Sequence, residues 1–189
     1  ETIEPKSFKE ARKILPCPIW SGHEKELEMY WRAWEIAIGN IRAPQPGSGF
    51  VSSYLDTAYN GNIFMWDTSF ILMFARYGTR FFPFQQTLNN FYAKQHPDGF
   101  ICREIKADGA DCFERYDPTS TGPNLIPWCE MVYYHQFGDM ERLHKIFPVL
   151  CGYYKWLKLN RTWRNGTYWS SGWGTGMDNM PRVPAGYNP

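Results

Sequence analysis

The run Ser170-Ser171-Gly172-Trp173-Gly174-Thr175-Gly176-Met177-Asp178-Asn179-Met180-Pro181-Arg182 sets one acidic residue among Gly, Trp and Pro. Small residues let the backbone approach whatever occupies the site, and Trp offers a flat apolar face. Asp178 would then sit at the lip of a cleft. A carboxyl in partly apolar surroundings holds its proton to higher pH and can donate it to a leaving oxygen, as a general acid acting on a sugar must. The plainer reading is a Gly-rich turn in which Asp178 caps a helix, and local composition alone favours it.

A second carboxylate of interest, Asp67, follows Trp66 at the start of an apolar stretch. Such a pair can hold a sugar, with the carboxylate accepting from two hydroxyls while the indole packs on the ring. A buried Asp serving as helix cap or salt-bridge partner explains it equally well, and the residues alone leave both open. Gln95 ends a helical stretch before a turn, where its amide can reach a hydroxyl or solvent. Trp128 and Trp173 are candidate pocket walls, against ordinary core packing. Trp173 shares the glycine run with Asp178, which makes it the stronger wall. Arg182 is placed to brace the same loop by pairing with a carboxylate. His23, His96, His135 and His144 lack metal-ligand spacing, and no Ser or Cys nucleophile motif is present. The acidic stretch Asp108, Asp111, Glu114, Asp117 does not match the EF-hand pattern and reads as a solvated loop. No metal and no cofactor is expected.

Composition narrows the function classes. The 189 residues suffice for a sizeable core. Aromatic residues make up 18% of the chain, enough to furnish sugar-stacking faces beyond the core. The net charge of +1 gives no electrostatic basis for nucleic-acid binding. Apolar runs of only a few residues leave nothing able to span a membrane. The cysteines Cys17, Cys102, Cys112, Cys129 and Cys151 show no C-x-x-C spacing, which disfavours zinc and redox motifs and makes buried free thiols the default. Cys102 and Cys112 flank a loop and can pair in an oxidising compartment. Asn160-Arg161-Thr162 and Asn165-Gly166-Thr167 are formal glycosylation sequons.

The elements that must position these residues are helical. Residues 1–20, with Pro5, Pro16 and Pro18, read as an extended lead-in. Ser21 and Glu24 form a capping-box pattern ahead of a helix over His23–Asn40, with Leu27, Tyr30, Trp31, Trp34 and Ile38 on one face. Residues 50–59 are loop or short strand. Trp66–Tyr77 is apolar almost all round and reads as a buried helix ending at Gly78. A helix over Phe84–Gln95 stops at the turn His96-Pro97-Asp98-Gly99. Residues 100–121 form a long loop with a hairpin around Asp108-Gly109. Pro123 and Pro127 open a helix to Phe137, Pro148 starts another that ends near Asn160, and Asn165-Gly166 turns a two-stranded excursion. The pattern suits an all-α protein of antiparallel helical hairpins. The candidate residues fall in loops or at helix starts.

Four stretches resemble, in order, motifs of the glycoside hydrolases with an (α/α)6 barrel, the processing-glucosidase, mannosylglycerate-hydrolase and trehalase-like group. Phe64-Met65-Trp66-Asp67-Thr68-Ser69-Phe70 looks like the group's Trp-Asp sugar-binding motif. Gln95-His96-Pro97-Asp98-Gly99-Phe100 resembles the loop after the next helix. Gly122-Pro123-Asn124-Leu125-Ile126-Pro127-Trp128 is similar to the helix start that follows, and Gly172–Arg182 resembles the general-acid motif. The resemblance covers most of the chain. It implies a toroid of helical hairpins with the substrate at its mouth, and inverting hydrolysis of an α-linked gluco- or manno-configured sugar with Asp178 as acid. It also implies that Trp66, Asp67, Gln95, Trp128 and Trp173 contact an oligosaccharide, disaccharide or sugar-glycerate substrate. The base would be a Glu in the second half of the barrel, since Glu104, Glu114 and Glu130 sit in no stretch resembling the base motif. A full barrel has twelve helices of roughly 11–12 residues each, whereas about five or six are read here. The chain is therefore expected to be one partial domain, the N-terminal half of a barrel, whose partner is the remaining half. A non-catalytic sugar-binding or degenerate homologue is the competing expectation.

Overall fold

The computed structural model of the chain describes residues 7–176. It is mostly helical, about 49%, with two small two-stranded sheets. The α-helices are α1 (Phe8–Ala11), α2 (Glu24–Gly39), α3 (Met65–Ala75), α4 (Thr87–Ala93), α5 (Ile126–Phe137) and α6 (Met140–Asn160). The strands are β1 (Ile41–Arg42), β2 (Tyr54–Leu55), β3 (Ile63–Phe64) and β4 (Glu104–Ile105), paired antiparallel as β1–β2 and β3–β4. The hairpin expected around Asp108-Gly109 follows β4, closed by the Lys106 N–H on the Ala110 carbonyl at 2.8 Å. The excursion around Asn165-Gly166 is present as a bridge between Thr162 and Tyr168.

Several local expectations are corrected. The lead-in is not wholly extended, because Ser7 and Glu10 form a reciprocal capping box that starts the single-turn helix α1. No such box forms at Ser21. His23 is the N-cap of α2, and the Glu24 carboxylate instead accepts from the Gly22 N–H at 3.1 Å. Pro148 does not begin a helix but lies inside α6, whose start is fixed by Asp139 accepting from the Arg142 N–H at 2.9 Å. A proline removes one donor and frees the carbonyl four residues back. That residue, His144, is exposed like Pro148 itself, so water can satisfy the carbonyl. Gly78 is not a left-handed cap; it closes a 3-10 turn where a β-carbon would strike the Trp34 and Phe84 rings.

Helix α3 is not buried all round. Met65, Thr68, Ser69, Leu72 and Ala75 form one buried stripe at helical spacing, while Asp67 and Phe70 face out. The core unites this stripe with Trp34 and Ile38 of α2, Leu88 and Phe91 of α4, Ile126 and Cys129 of α5, and Tyr153 and Trp156 of α6. One buried ion pair ties the later helices together. Glu130, 1% exposed, takes two bonds from Arg142 at 2.6 and 2.8 Å, one from the Tyr92 hydroxyl at 2.6 Å and one from Gln85 at 3.0 Å. Every lone-pair direction of that carboxylate is thereby engaged inside the fold. All five cysteines are free thiols, so Cys102 and Cys112 do not pair. Burial and the neighbouring Glu104 push the Cys112 thiol up to about 12, which leaves it protonated and unreactive at neutral pH. No helix among the described residues is long and apolar enough to cross a membrane.

Candidate functional site

Strand β3 runs into α3 without a spacer. Its pairing with β4 (Ile63 opposite Ile105, Phe64 opposite Glu104) and the Met65 N–H bond to the Arg103 carbonyl at 2.8 Å fix where the helix begins. Trp66 and Asp67 therefore occupy the first turn of α3, anchored from behind by buried Met65. The Asp67 carboxylate reaches solvent and makes no side-chain hydrogen bond or ion pair among the described residues. Desolvation by the surrounding protein pushes its pKa up. Its own backbone N–H and Arg103 pull the other way, and Glu104 adds to the rise. A carboxylate that is open to solvent and, among the described residues, bonded by no other side chain keeps acceptor capacity for a ligand's hydroxyls.

The glycine run closes over this turn. Residues Trp173–Thr175 form a 3-10 turn held by the Gly174 N–H on the Ser171 hydroxyl at 2.9 Å and by the Thr175 hydroxyl on the Gly172 carbonyl at 2.7 Å. Two glycines are required by contact. A β-carbon on Gly174 would lie 2.6 Å from the Thr121 carbonyl oxygen. One on Gly176, whose φ is +70°, would run into the Trp66 indole. The small residues thus admit the protein's own backbone against Trp66 and against Thr121-Gly122. Trp66, Asp67, Arg103, Pro123, Trp173 and Gly176 line the resulting crease. Its enclosed volume is about 20 Å³, room for about one water molecule.

An aromatic row leads out of the crease. The Trp66 ring meets Phe70 edge-on at 5.4 Å, and Phe70 meets Trp128 of α5 at 6.3 Å. Phe70, Trp128 and Trp173 are 49%, 46% and 47% exposed. These are half-covered faces of the kind that stack on sugar rings.

The structure brings Trp66, Asp67 and Trp173 together from segments far apart in the sequence, and connects Trp128 to them through Phe70. Gln95 stands apart, and its amide is occupied. It donates to the Gly99 carbonyl at 3.0 Å and to the Val149 carbonyl at 2.8 Å, tying the 96–99 turn to α6. Asp178 and Arg182 lie outside the described residues; Asp178 is the second residue after Gly176 in the sequence. Of the carboxylates weighed as bases, Glu130 is consumed by its ion pair. Glu104 is beside the crease and accepts from the Asn62 amide at 2.9 Å.

Sequence reasoning missed Phe70, Arg103 and Pro123. Phe70 had a signal, its i+4 relation to Trp66. Arg103 had none, since its place depends on the β3–β4 pairing. Its guanidinium donates to the Thr119 carbonyl at 2.5 Å and covers the Phe113 ring at 4.6 Å. Arg161 was missed too. It is 3% exposed, bonds Thr121, Ser120 and Asp117, and lies between the Trp156 and Trp169 rings at 4.8 and 4.9 Å. It fixes the Thr121 wall on which the glycine run rests. In the 95–100 loop, Arg115 donates to His96 Nδ1 at 2.9 Å. A guanidinium only donates, so the His96 proton sits on Nε2 and goes to Asp111 at 2.7 Å. That histidine is a strut with both nitrogens committed. Among the described residues no cluster of three or more His, Cys, Asp or Glu side chains is placed to hold a metal ion.

Comparison with known proteins adds little chemistry. No family profile matches the chain, and no solved structure does. A protein of Borreliella burgdorferi (strain ATCC 35210 / DSM 4680 / CIP 102532 / B31), described only as uncharacterized, is 28% identical over 100 residues. The match takes in 53% of this chain and 21% of that protein, so the chain spans about a fifth of its relative's length.

Proposed function

We propose that this chain carries the sugar-holding crease and the general acid of an inverting glycoside hydrolase acting on an α-linked gluco- or manno-configured sugar. The single observation that supports it most is the meeting of Trp66, Asp67 and Trp173, residues distant in sequence, around a carboxylate that no other side chain among the described residues bonds. In this proposal Asp67 accepts from two hydroxyls of the bound sugar, and the exposed rings of Trp173, Phe70 and Trp128 pack on its apolar faces. The carboxylate's desolvated setting strengthens those bonds relative to water. Asp178, by its place in the glycine run, protonates the leaving oxygen. Inversion needs a second carboxylate roughly 6.5–9.5 Å from the acid, with a water between base and sugar; that base lies outside this chain. The helices are taken as about half of an (α/α)6 toroid, the outward row Phe70–Trp128 facing toward the ring's interior. The substrate is an oligosaccharide, a disaccharide or a sugar-glycerate compound.

A second reading, a sugar-binding homologue without catalysis, draws on one observation. The crease encloses about 20 Å³, so a sugar would lie across its mouth. The two readings part on Asp178→Asn in the full-length protein. The amide keeps the shape but has no proton to give. Turnover of an alkyl glycoside should fall by at least about 100-fold with binding largely kept, and an aryl glycoside with an activated leaving group should suffer less. Equal wild-type rates on both substrates would remove Asp178 as the acid.

A further inference from the structure

On the far side of the wall formed by Gly122, Pro123 and Gly174 lies a larger groove, about 440 Å³. That is within the range of ordinary small-molecule pockets, roughly 300–1,000 Å³. It shares this wall with the crease, so a ligand reaching across Pro123 would touch both. Its floor is aromatic. Tyr154 of α6 and Tyr168 of the 161–169 hairpin are exposed, and Trp169 lies beside them.

Two features define what the groove would take. Asn124, at its edge, has a side-chain oxygen that is buried and has no hydrogen-bond partner among the described residues. Leaving a buried acceptor unpaired costs about 1–3 kcal/mol, a cost that a hydroxyl donor from a ligand would remove. A hydroxyl group is the donor that fits. Arg161 is the charged residue in the lining, and its guanidinium is spent on Thr121, Ser120 and Asp117. Among the described residues a phosphate or carboxylate would find no free cation there, whereas a neutral polyol with an apolar ring face finds two tyrosines and a tryptophan.

We propose that this groove is a second saccharide subsite, binding a neutral sugar unit through Asn124, Tyr154, Tyr168 and Trp169 while another unit occupies the Asp67 crease. The ligand class rests on the glycosidase reading; the existence of the site rests on the groove itself.

The test is titration of the full-length protein with maltose and with methyl α-mannoside, following the Trp169 indole N–H signal, identified by its loss in Trp169→Phe. At least one of the two sugars should shift that signal saturably. Tyr154→Ala/Tyr168→Ala should weaken the response at least about tenfold. Asn124→Ala guards against a merely structural role. Because its oxygen has no partner among the described residues, the variant should lose sugar binding without a fall in Tm. A lowered Tm would show that Asn124 serves the fold and would overturn the proposal. So would hydrolysis by a protein whose Trp169 signal neither sugar moves. Saturable binding at Trp169 in a protein that hydrolyses no glycoside would leave this site standing and remove only the enzymatic reading.

Discussion

Replacing Arg161 with Met should unlatch the wall of the site. The guanidinium makes bonds of 3.0 Å to the Thr121 hydroxyl, 3.0 Å to the Ser120 hydroxyl, 2.9 Å to the Asp117 carbonyl and 3.1 Å to the Asn160 carbonyl. It is also stacked between two indoles. Bonds from a charged donor are worth about 1.5–3 kcal/mol each, and a desolvated cation–π contact about 2 kcal/mol. These cannot be summed, because the folded protein also bears the cost of burying the charge. Met removes that cost together with the bonds, and it keeps most of the packing. The net loss should be about 2–4 kcal/mol, set mainly by the acceptors left unpaired at Asp117 and Ser120. Arg161→Lys should recover less than half of it, since an ammonium cannot span acceptors placed for a planar fork. Urea unfolding measures the loss. Hydrogen exchange locates it, with protection expected to fall at residues 115–121 and 162–169 ahead of α2. A change under about 0.5 kcal/mol in Arg161→Met, with exchange unaltered in both segments, would refute the latch.

Two further outcomes follow from the crease. Desolvation raises the Asp67 pKa above its unfolded value, so the folded state holds that proton more tightly and stability falls as pH rises from about 3.9 to the folded pKa. Asp67→Asn should then be at least as stable as wild type at pH 7, with the advantage vanishing below about pH 3.9; urea titrations from pH 3 to pH 8 would show it, and an advantage that grows toward low pH would contradict the sign. Gly174→Ala puts a β-carbon 2.6 Å from the Thr121 carbonyl, an overpacking that should cost about 1–3 kcal/mol and move Trp173 emission to the red. An unchanged spectrum and Tm would mean the glycine run does not rest on that wall.

Much of the scaffold was legible because it depends on local signals. The turns at Gly99, Gly109 and Gly166 come from residues that accept positive φ, and the bounds of α2 and the end of α5 follow periodicity; α4 is shorter than the expected Phe84–Gln95, since Phe84–Gln86 form a 3-10 turn before Thr87–Ala93, and α5 opens at Ile126 rather than at Pro123. Pro148 misled because a proline marks a helix start only where nothing upstream nucleates one, and the Asp139 cap does so nine residues earlier. Helix α3 misled differently. Its apolar outer face looks like core to any local rule, yet Phe70 stands half exposed. Trp66, Asp67 and Trp173, which meet at the crease, were singled out by residue type together with the resemblance of their stretches to known motifs. Arg103, Arg161 and the groove beyond Pro123 were not, because each exists only through pairings between distant segments. Gln95 shows the converse. A residue type suited to sugar binding is here consumed by two backbone carbonyls.

The most direct measurement is the anomeric configuration of the first product released by the full-length protein. Phenyl α-glucoside, phenyl α-mannoside and α-linked disaccharides would be followed by proton NMR before mutarotation. Inverting hydrolysis at Asp178 requires the β-anomer to appear first from at least one of them, and Asp178→Asn to suppress it. An α-anomer as first product, or no hydrolysis of any of these substrates by the full-length protein, would contradict the proposed chemistry.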